Sequence, residues 1–214
     1  MALSRVLPSS KTSAQRTKNK DEEKRCITTG TYLVSTYEKR VCTDFQSLVT
    51  KRRITVFFLP DIHDTKLDTV ALSNASRCSI VAEVAGEKYV PRDFLNLLVV
   101  GEGGKIGSKV KNTNDSYDLG PAQVNTIHSK YILRNYPNKS WVDVATDPVL
   151  NISISADIFK GCLTYAKGHV WEAVGCYNSK TVNIKTNYLI RTMKTWDYIL
   201  KRPSLNCSEY WYQD

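Results

Sequence analysis

The chain has 214 residues, a formal net charge of +9, and apolar and charged fractions of 42% and 24%. These are the proportions of a globular protein and exclude a wholly disordered chain. It has no apolar run of the roughly 20 residues that a membrane-spanning helix needs, so no transmembrane segment is predicted. The positive balance makes a polyanion the natural neighbour (nucleic acid, anionic lipid or an acidic cell-wall polymer) without choosing among them.

Residues 1–25 are polar, charged and rich in Ser, Thr and Lys, without an apolar period, and are predicted to be a poorly ordered basic tail. Residues 26–50 contain short β-leaning pieces such as "TYLVSTY". In "KRRITVFFLPDIHDTKLDTVALSNAS", Lys51, Arg52 and Arg53 precede a short apolar run, and "ALSNA" has the small residues of a cleavage site. The run stops at Pro60, however, and Asp61, His63, Asp64 and Lys66 follow it. It also lies fifty residues into the chain. A short strand and a polar turn are therefore expected, with a degraded export segment as the alternative; no intact signal peptide is visible.

From residue 76 the pattern becomes helical. "RCSIVAEVAGEKY" sets Ile80, Val81, Val84 and Ala85 along one side. "VPRDFLNLLVVGEGG" has Pro91 near a first turn, an almost wholly apolar body, and a stop at Gly101, Gly103 and Gly104. The stretch 107–131 starts as a polar loop and turns helical towards its end. In "DPVLNISISADIFKGCLTYAKG", Asp147 is placed to cap and Pro148 to fill the first helical position. "HVWEAVGCYNS" is a short apolar helix stopping at Asn178. "KTNYLIRTMKTWDYILK" repeats Leu189, Met193, Trp196 and Leu200 at helical steps. The prediction is a mainly α protein in three parts: an extension over 1–75, a helical domain over 76–202, and a tail over 203–214 that packs back through its aromatics.

Six cysteines (Cys26, Cys42, Cys78, Cys162, Cys176 and Cys207) and three histidines (His63, His128 and His169) show no CxxC pair and no zinc-ligand spacing. No metal site and no cofactor are predicted. The even cysteine count suits either disulfides in an oxidising compartment or buried free thiols, and it assigns no connectivity.

Three segments carry candidate chemistry. Glu102 ends an apolar helix and is followed by glycines. Partial desolvation there raises a carboxyl pKa, as a general acid requires, and the C-terminal end of a helix disfavours a negative charge. A solvated helix-terminal Glu is the plain alternative. In the following loop, Gln123 and Asn125 offer amide donors and acceptors for sugar, and Gly120 permits close approach to the backbone. Alone, the same residues make a turn and a helix cap. Tyr177 and Asn178 end another apolar helix, where a phenol reaches either a cleft or the surface.

In this order the segments resemble the lytic transglycosylases with a lysozyme-like domain, which carry a catalytic Glu usually followed by Ser, then Gly-Leu-Met-Gln, then Ala-Tyr-Asn. The similarity is to their small secretion- and conjugation-associated branch, with Glu-Gly-Gly, a "YDLGPMQ"-like loop and a "YNS" segment. The matching residues are Glu102-Gly103-Gly104, Tyr117 to Asn125, and Tyr177-Asn178-Ser179-Lys180-Thr181, with Asn187-Tyr188 after them. The resemblance covers about residues 77–200. Gly103 stands for the usual Ser, Cys176 for the residue before the tyrosine, and Ala122 for a Met whose side chain would wall the sugar site.

The resemblance implies a lysozyme-like helical fold and peptidoglycan glycan strands as partner, in the bacterial cell envelope (periplasm), beside a secretion or conjugation machine. Glu102 would protonate the glycosidic oxygen between N-acetylmuramic acid and N-acetylglucosamine, and the muramic 6-hydroxyl would close a 1,6-anhydro ring. Gln123, Asn125, Asn178 and Gly120 would line the sugar site, with Tyr177 orienting the acetamido group or the acid. A hydrolytic muramidase needs a second carboxylate, for which Asp115 and Asp118 are the candidates. A non-catalytic binder of peptidoglycan or another polyanion is the third possibility. No nucleic-acid motif supports nucleic acid as the partner.

Overall fold

The computed structural model describes residues 62–211 and, nearer the N-terminus, one short strand pair. The chain divides into two units, residues 1–56 and 57–214. Within the first, β1 (Ile27–Thr28) runs antiparallel to β2 (Arg40–Val41), with Ile27 opposite Val41. The "TYLVSTY" piece, the basic-apolar segment 51–59, Cys26 and Cys42 lie outside the described residues.

In the second unit, the first helix is α1 (Asn74–Lys88). Ser73 caps it by accepting from the Ser76 amide at 3.1 Å. The small-residue "ALSNA" stretch is thus a helix start. α1 ends where Tyr89 turns left-handed before Val90 and Pro91. Pro91 caps α2 (Arg92–Glu102), whose Leu95, Leu97 and Leu98 are fully buried.

Next comes a sheet that the sequence pattern does not reveal. β3 (Lys109–Lys111), β4 (Tyr117–Leu119) and β5 (Val124–Asn125) form an antiparallel meander, with Leu119 opposite both Lys109 and Val124. Strands of two or three residues are too short to show a period of two. Only the buried–half-buried–buried order of Tyr117, Asp118 and Leu119 betrays one. Lys109 donates to the carbonyls of Ile62, His63 and Thr65, each at 2.9 Å, and so binds the entry segment to the sheet edge.

A 3₁₀ turn (Thr126–His128) leads into α3 (Ser129–Asn135), followed by α4 (Trp141–Thr146). A reciprocal Ser140–Asp143 capping box starts α4. Asp147 caps α5 (Pro148–Tyr165) by accepting from the amides of Val149 and Leu150, with Pro148 in the first turn as its type predicts. α6 (Val170–Asn178) and α7 (Val182–Leu200) follow, then the short helices α8 (Pro203–Asn206) and α9 (Ser208–Trp211). The described part of this unit is mainly α, as the sequence predicts.

α5 is the central element. Seven successive residues, Leu150 to Ala156, are buried, so the helix is enclosed on nearly every side. One face, with Ile152, Ala156 and Phe159, packs on Val84, Leu98 and Val174 from α1, α2 and α6. The other, with Leu150 and Ile154, packs on Leu119, Ile132, Trp141 and Val144 from the sheet, α3 and α4.

Two disulfides lie among the described residues, Cys78–Cys207 and Cys162–Cys176. The first ties α1 to the C-terminal hook. Buried Arg77 beside it donates to the carbonyls of Ser204 and Leu205, and Trp211 Nε1 donates to the Cys78 carbonyl at 2.9 Å. The second joins α5 to α6. Because a crosslink restricts the unfolded chain more when it spans more residues, the 129-residue separation of Cys78–Cys207 outweighs the 14-residue separation of Cys162–Cys176. The expected stability losses for the paired serine variants are about 5 kcal/mol for Cys78→Ser with Cys207→Ser and about 3 kcal/mol for Cys162→Ser with Cys176→Ser. Chemical denaturation of the two double variants against the parent measures the order.

Candidate active site

Glu102 is the last residue of α2, half-buried, and the helix closes behind it with the left-handed Gly103, whose amide donates to Val99 O at 3.2 Å. A Cβ on the next residue, Gly104, would stand 2.1 Å from the Gly120 carbonyl oxygen and 2.6 Å from Gln123 Nε2. No side chain fits there, because the strand leaving the acid lies directly on the loop between β4 and β5, and the Gly104 amide donates to Pro121 O at 3.1 Å. Gly104 is therefore a packing requirement of this junction, and Gly103, at φ +63°, a conformational one.

The loop itself is held by Asn151, fully buried in α5. Its amide nitrogen donates to Leu119 O and Val144 O, both at 2.8 Å, and its Oδ1 accepts from the Ala122 amide at 2.7 Å. Gly120 has φ +68°, and a Cβ there would meet Asn151 Nδ2 at 2.4 Å. Glycine thus serves two needs at this position, a left-handed turn and room for the asparagine. Ala122 is fully buried in the core. Its side chain packs among the helices of that core.

Tyr188, in the middle of α7, donates to Glu102 Oε1 at 2.8 Å. Burial raises the Glu102 carboxyl pKa above its ordinary value, and nearby Asp118 adds to the rise. The Tyr188 hydrogen bond and the positive charge of Arg191 pull the other way without reversing it. Burial and the adjacent carboxyl push the Tyr188 phenol far up, so it stays a donor.

The expected site residues fall into two groups. Tyr177 Oη lies 2.9 Å from Ser155 Oγ and donates to Ala122 O at 3.2 Å, within electrostatic reach of Glu102; the direct bond to the acid belongs to Tyr188. Gln123, at φ +49°, commits both amide hydrogens to Ser108 Oγ and Gly120 O and leaves its carbonyl oxygen to face other donors. Gly120 forms the turn beside it. Asn125 is engaged within the chain: it donates to Asp118 Oδ1 at 2.7 Å and to Ser116 Oγ, and it accepts from the Ile127 amide. Asn178 is exposed at the end of α6.

Of the two carboxylates considered for a water-delivering role, Asp115 is exposed and ion-paired with Lys111 at 2.9 Å. Asp118 is half-buried, receives hydrogen bonds from both Asn112 and Asn125, and acts electrostatically on Glu102. Among the described residues, no group of three or more His, Cys, Asp or Glu is arranged to hold a metal ion.

Sequence reasoning overlooked Tyr188 as the partner of the acid and Asn151 as the anchor of the loop. Each left a signal. Tyr188 follows Asn187 in the segment that matches the resembling branch. Asn151 sits in the apolar run "VLNISIS", where a buried amide must find partners.

A half-buried acid at a helix end, a glycine turn against a central buried helix and a tyrosine from a later helix define an SLT-type lysozyme-like domain. The chain belongs to the transglycosylase SLT domain family, whose model matches residues 87–197. It is similar to the protein IpgF of Shigella flexneri, 34% identical over 101 residues, which are 45% of this chain and 63% of that protein. It is also similar to the invasion protein IagB of Salmonella typhimurium, 27% identical over 106 residues, 49% of this chain and 64% of that one. The chain thus spans less than two thirds of the length of these relatives.

Two outcomes follow from this geometry. Asn151→Ala removes three hydrogen bonds to buried backbone groups, those to Leu119 O, Val144 O and the Ala122 amide, and is expected to cost on the order of 3 kcal/mol, read from urea denaturation. For Glu102, the folded chain binds the proton more tightly than the unfolded chain does. Its contribution to stability is therefore greatest below the ordinary carboxyl pKa and declines as pH rises through the raised one. Glu102→Gln should gain thermal stability on the parent as pH rises from about 4 towards neutrality, and the gain should vanish in acid.

Proposed function

We propose that this domain cleaves the glycosidic bond between N-acetylmuramic acid and N-acetylglucosamine in peptidoglycan, with Glu102 as the acid. The observation that carries this reading is the desolvated Glu102 carboxyl at the end of α2, held by Tyr188. Burial raises the carboxyl pKa and so favours the protonated acid, and the Tyr188 bond fixes its orientation and steadies the carboxylate once the proton has gone to the leaving oxygen. The free carbonyl of Gln123 and the exposed amide of Asn178 would accept and donate to sugar hydroxyl and acetamido groups. Gly120 is buried and the space beside its Cα is taken by Asn151, so its part in this site is to shape the loop.

After protonation, two courses are open to the oxocarbenium-like centre. In the lytic course, Glu102 takes the proton of the muramic 6-hydroxyl, and the 1,6-anhydro ring closes without a second protein carboxylate. In the hydrolytic course, a muramidase places water with help from a second carboxylate. Asp118 specifically favours this second reading, because two amide donors hold its carboxylate in place and it acts electrostatically on Glu102.

The cell envelope is the proposed location. The two disulfides among the described residues suit an oxidising compartment. The name of IagB, an invasion protein, supports a place beside an export or invasion apparatus. Among the described residues, no helix is long and apolar enough to cross a membrane.

A cell-wall zymogram tests the acid: the parent clears the wall and Glu102→Gln does not, whereas equal clearing by both removes Glu102 from the reaction, and no clearing by either supports a binder. Mass spectrometry of the soluble fragments separates the two courses. Anhydromuramic ends mark the lytic course; reducing ends carrying added water mark the hydrolytic one, and Asp118→Asn should then abolish them.

A further inference from the structure

Arg191 lies one turn beyond Tyr188 on α7. Its guanidinium carbon stands 5.1 Å from the centre of the Tyr188 ring, whose hydroxyl is bonded to Glu102. The residue is exposed, and among the described residues no carboxylate or carbonyl receives its N–H groups. Along the same stretch, Lys185 pairs with Glu172, and Lys201, just beyond α7, pairs with Asp197 at 2.6 Å. The ring holds Arg191 by cation–π contact, and the exposed guanidinium is near enough to act electrostatically on Glu102. This position is costly for the acid, since a positive charge there opposes keeping Glu102 protonated. Such a cation is explained if it serves an anion that arrives with the substrate.

We infer that Arg191 is a substrate-reading residue that binds a carboxylate borne by the muramoyl substituent of the glycan strand, and so selects muramoyl-containing strands over neutral N-acetylglucosamine polymers. The inference rests on the glycan reading above. A muramoyl ring carries a lactyl group. Its carboxylate is free where the strand has no peptide, and where a stem peptide is attached the carboxylates are those of the peptide. Either anion suits the planar fork of a guanidinium, which grips a carboxylate through two parallel N–H bonds.

Binding tests this independently of turnover. Full-length Glu102→Gln and Glu102→Gln with Arg191→Gln are titrated with three ligands: peptide-free glycan strands, peptide-bearing strands of the same length, and chitin oligosaccharides, which have no carboxylate. Arg191→Gln is expected to weaken binding to at least one carboxylate-bearing ligand about tenfold and to leave chitin binding unchanged. Loss confined to peptide-free strands identifies the lactyl carboxylate; loss confined to peptide-bearing strands identifies the stem peptide. An equal loss on chitin, or no loss on any ligand, overturns the inference. Clearing of cell wall by the parent is scored separately, so a chain that binds without cleaving fails the reaction while still testing Arg191.

Discussion

The site depends on one buried amide. Asn151 lies in the middle of the most enclosed helix and joins the carbonyls of Leu119 and Val144 to the amide of Ala122. An amide with its two donors and an acceptor satisfied inside a core cannot be shifted without leaving a polar group unpaired, so the loop it grips has a single register. Everything around the acid refers to that loop. Gly104 lies on its backbone, Gln123 bonds across its turn, and Tyr177 rests its hydroxyl on Ala122 O. α5 thereby sets the distance between the acid on one core face and the sheet on the other.

The electrostatics of Glu102 are a contest with a definite winner. Burial, the C-terminal end of its helix and the Asp118 charge favour the neutral acid; Tyr188 and Arg191 favour the anion. In the proposed reaction Glu102 gives up a proton and then persists as a carboxylate, and it benefits from both. Burial outweighs the opposing contributions and favours the protonated form, and the tyrosine bond limits the cost of the charged one. Asp118, which acts electrostatically on it, is held by two amide donors directed at its oxygens.

The remainder of the unit is held more by covalent and cap chemistry than by additional core. The segment after α7 is too short to form a core of its own, and it is kept in place by Cys78–Cys207, by buried Arg77 and by Trp211 under Arg92. The Cys162–Cys176 bond restrains α6 immediately before Tyr177. This restraint lies closer to the site than the first and bears on where the tyrosine hydroxyl sits.

The long helices were legible because their signals are local. Apolar spacing marked α1, α2, α5, α6 and α7, and Asp147 with Pro148 marked the start of α5 to the residue. The order of Glu102, the glycine loop and Tyr177 was also enough to suggest a lysozyme-like family, because short motifs survive in sequence where distances do not. The small sheet was not legible, since strands of two or three residues carry no measurable period. Neither was the division of labour among polar residues. Asn125 holds Asp118 and caps a turn, Ala122 is core, and Tyr188, eighty-six positions from the acid, is its hydrogen-bond partner. By itself, then, the sequence determined the long helices and the family, and it singled out Glu102. Only the tertiary structure decided which side chains meet the acid and which cysteines pair, because those choices depend on burial and contact between residues far apart in the chain.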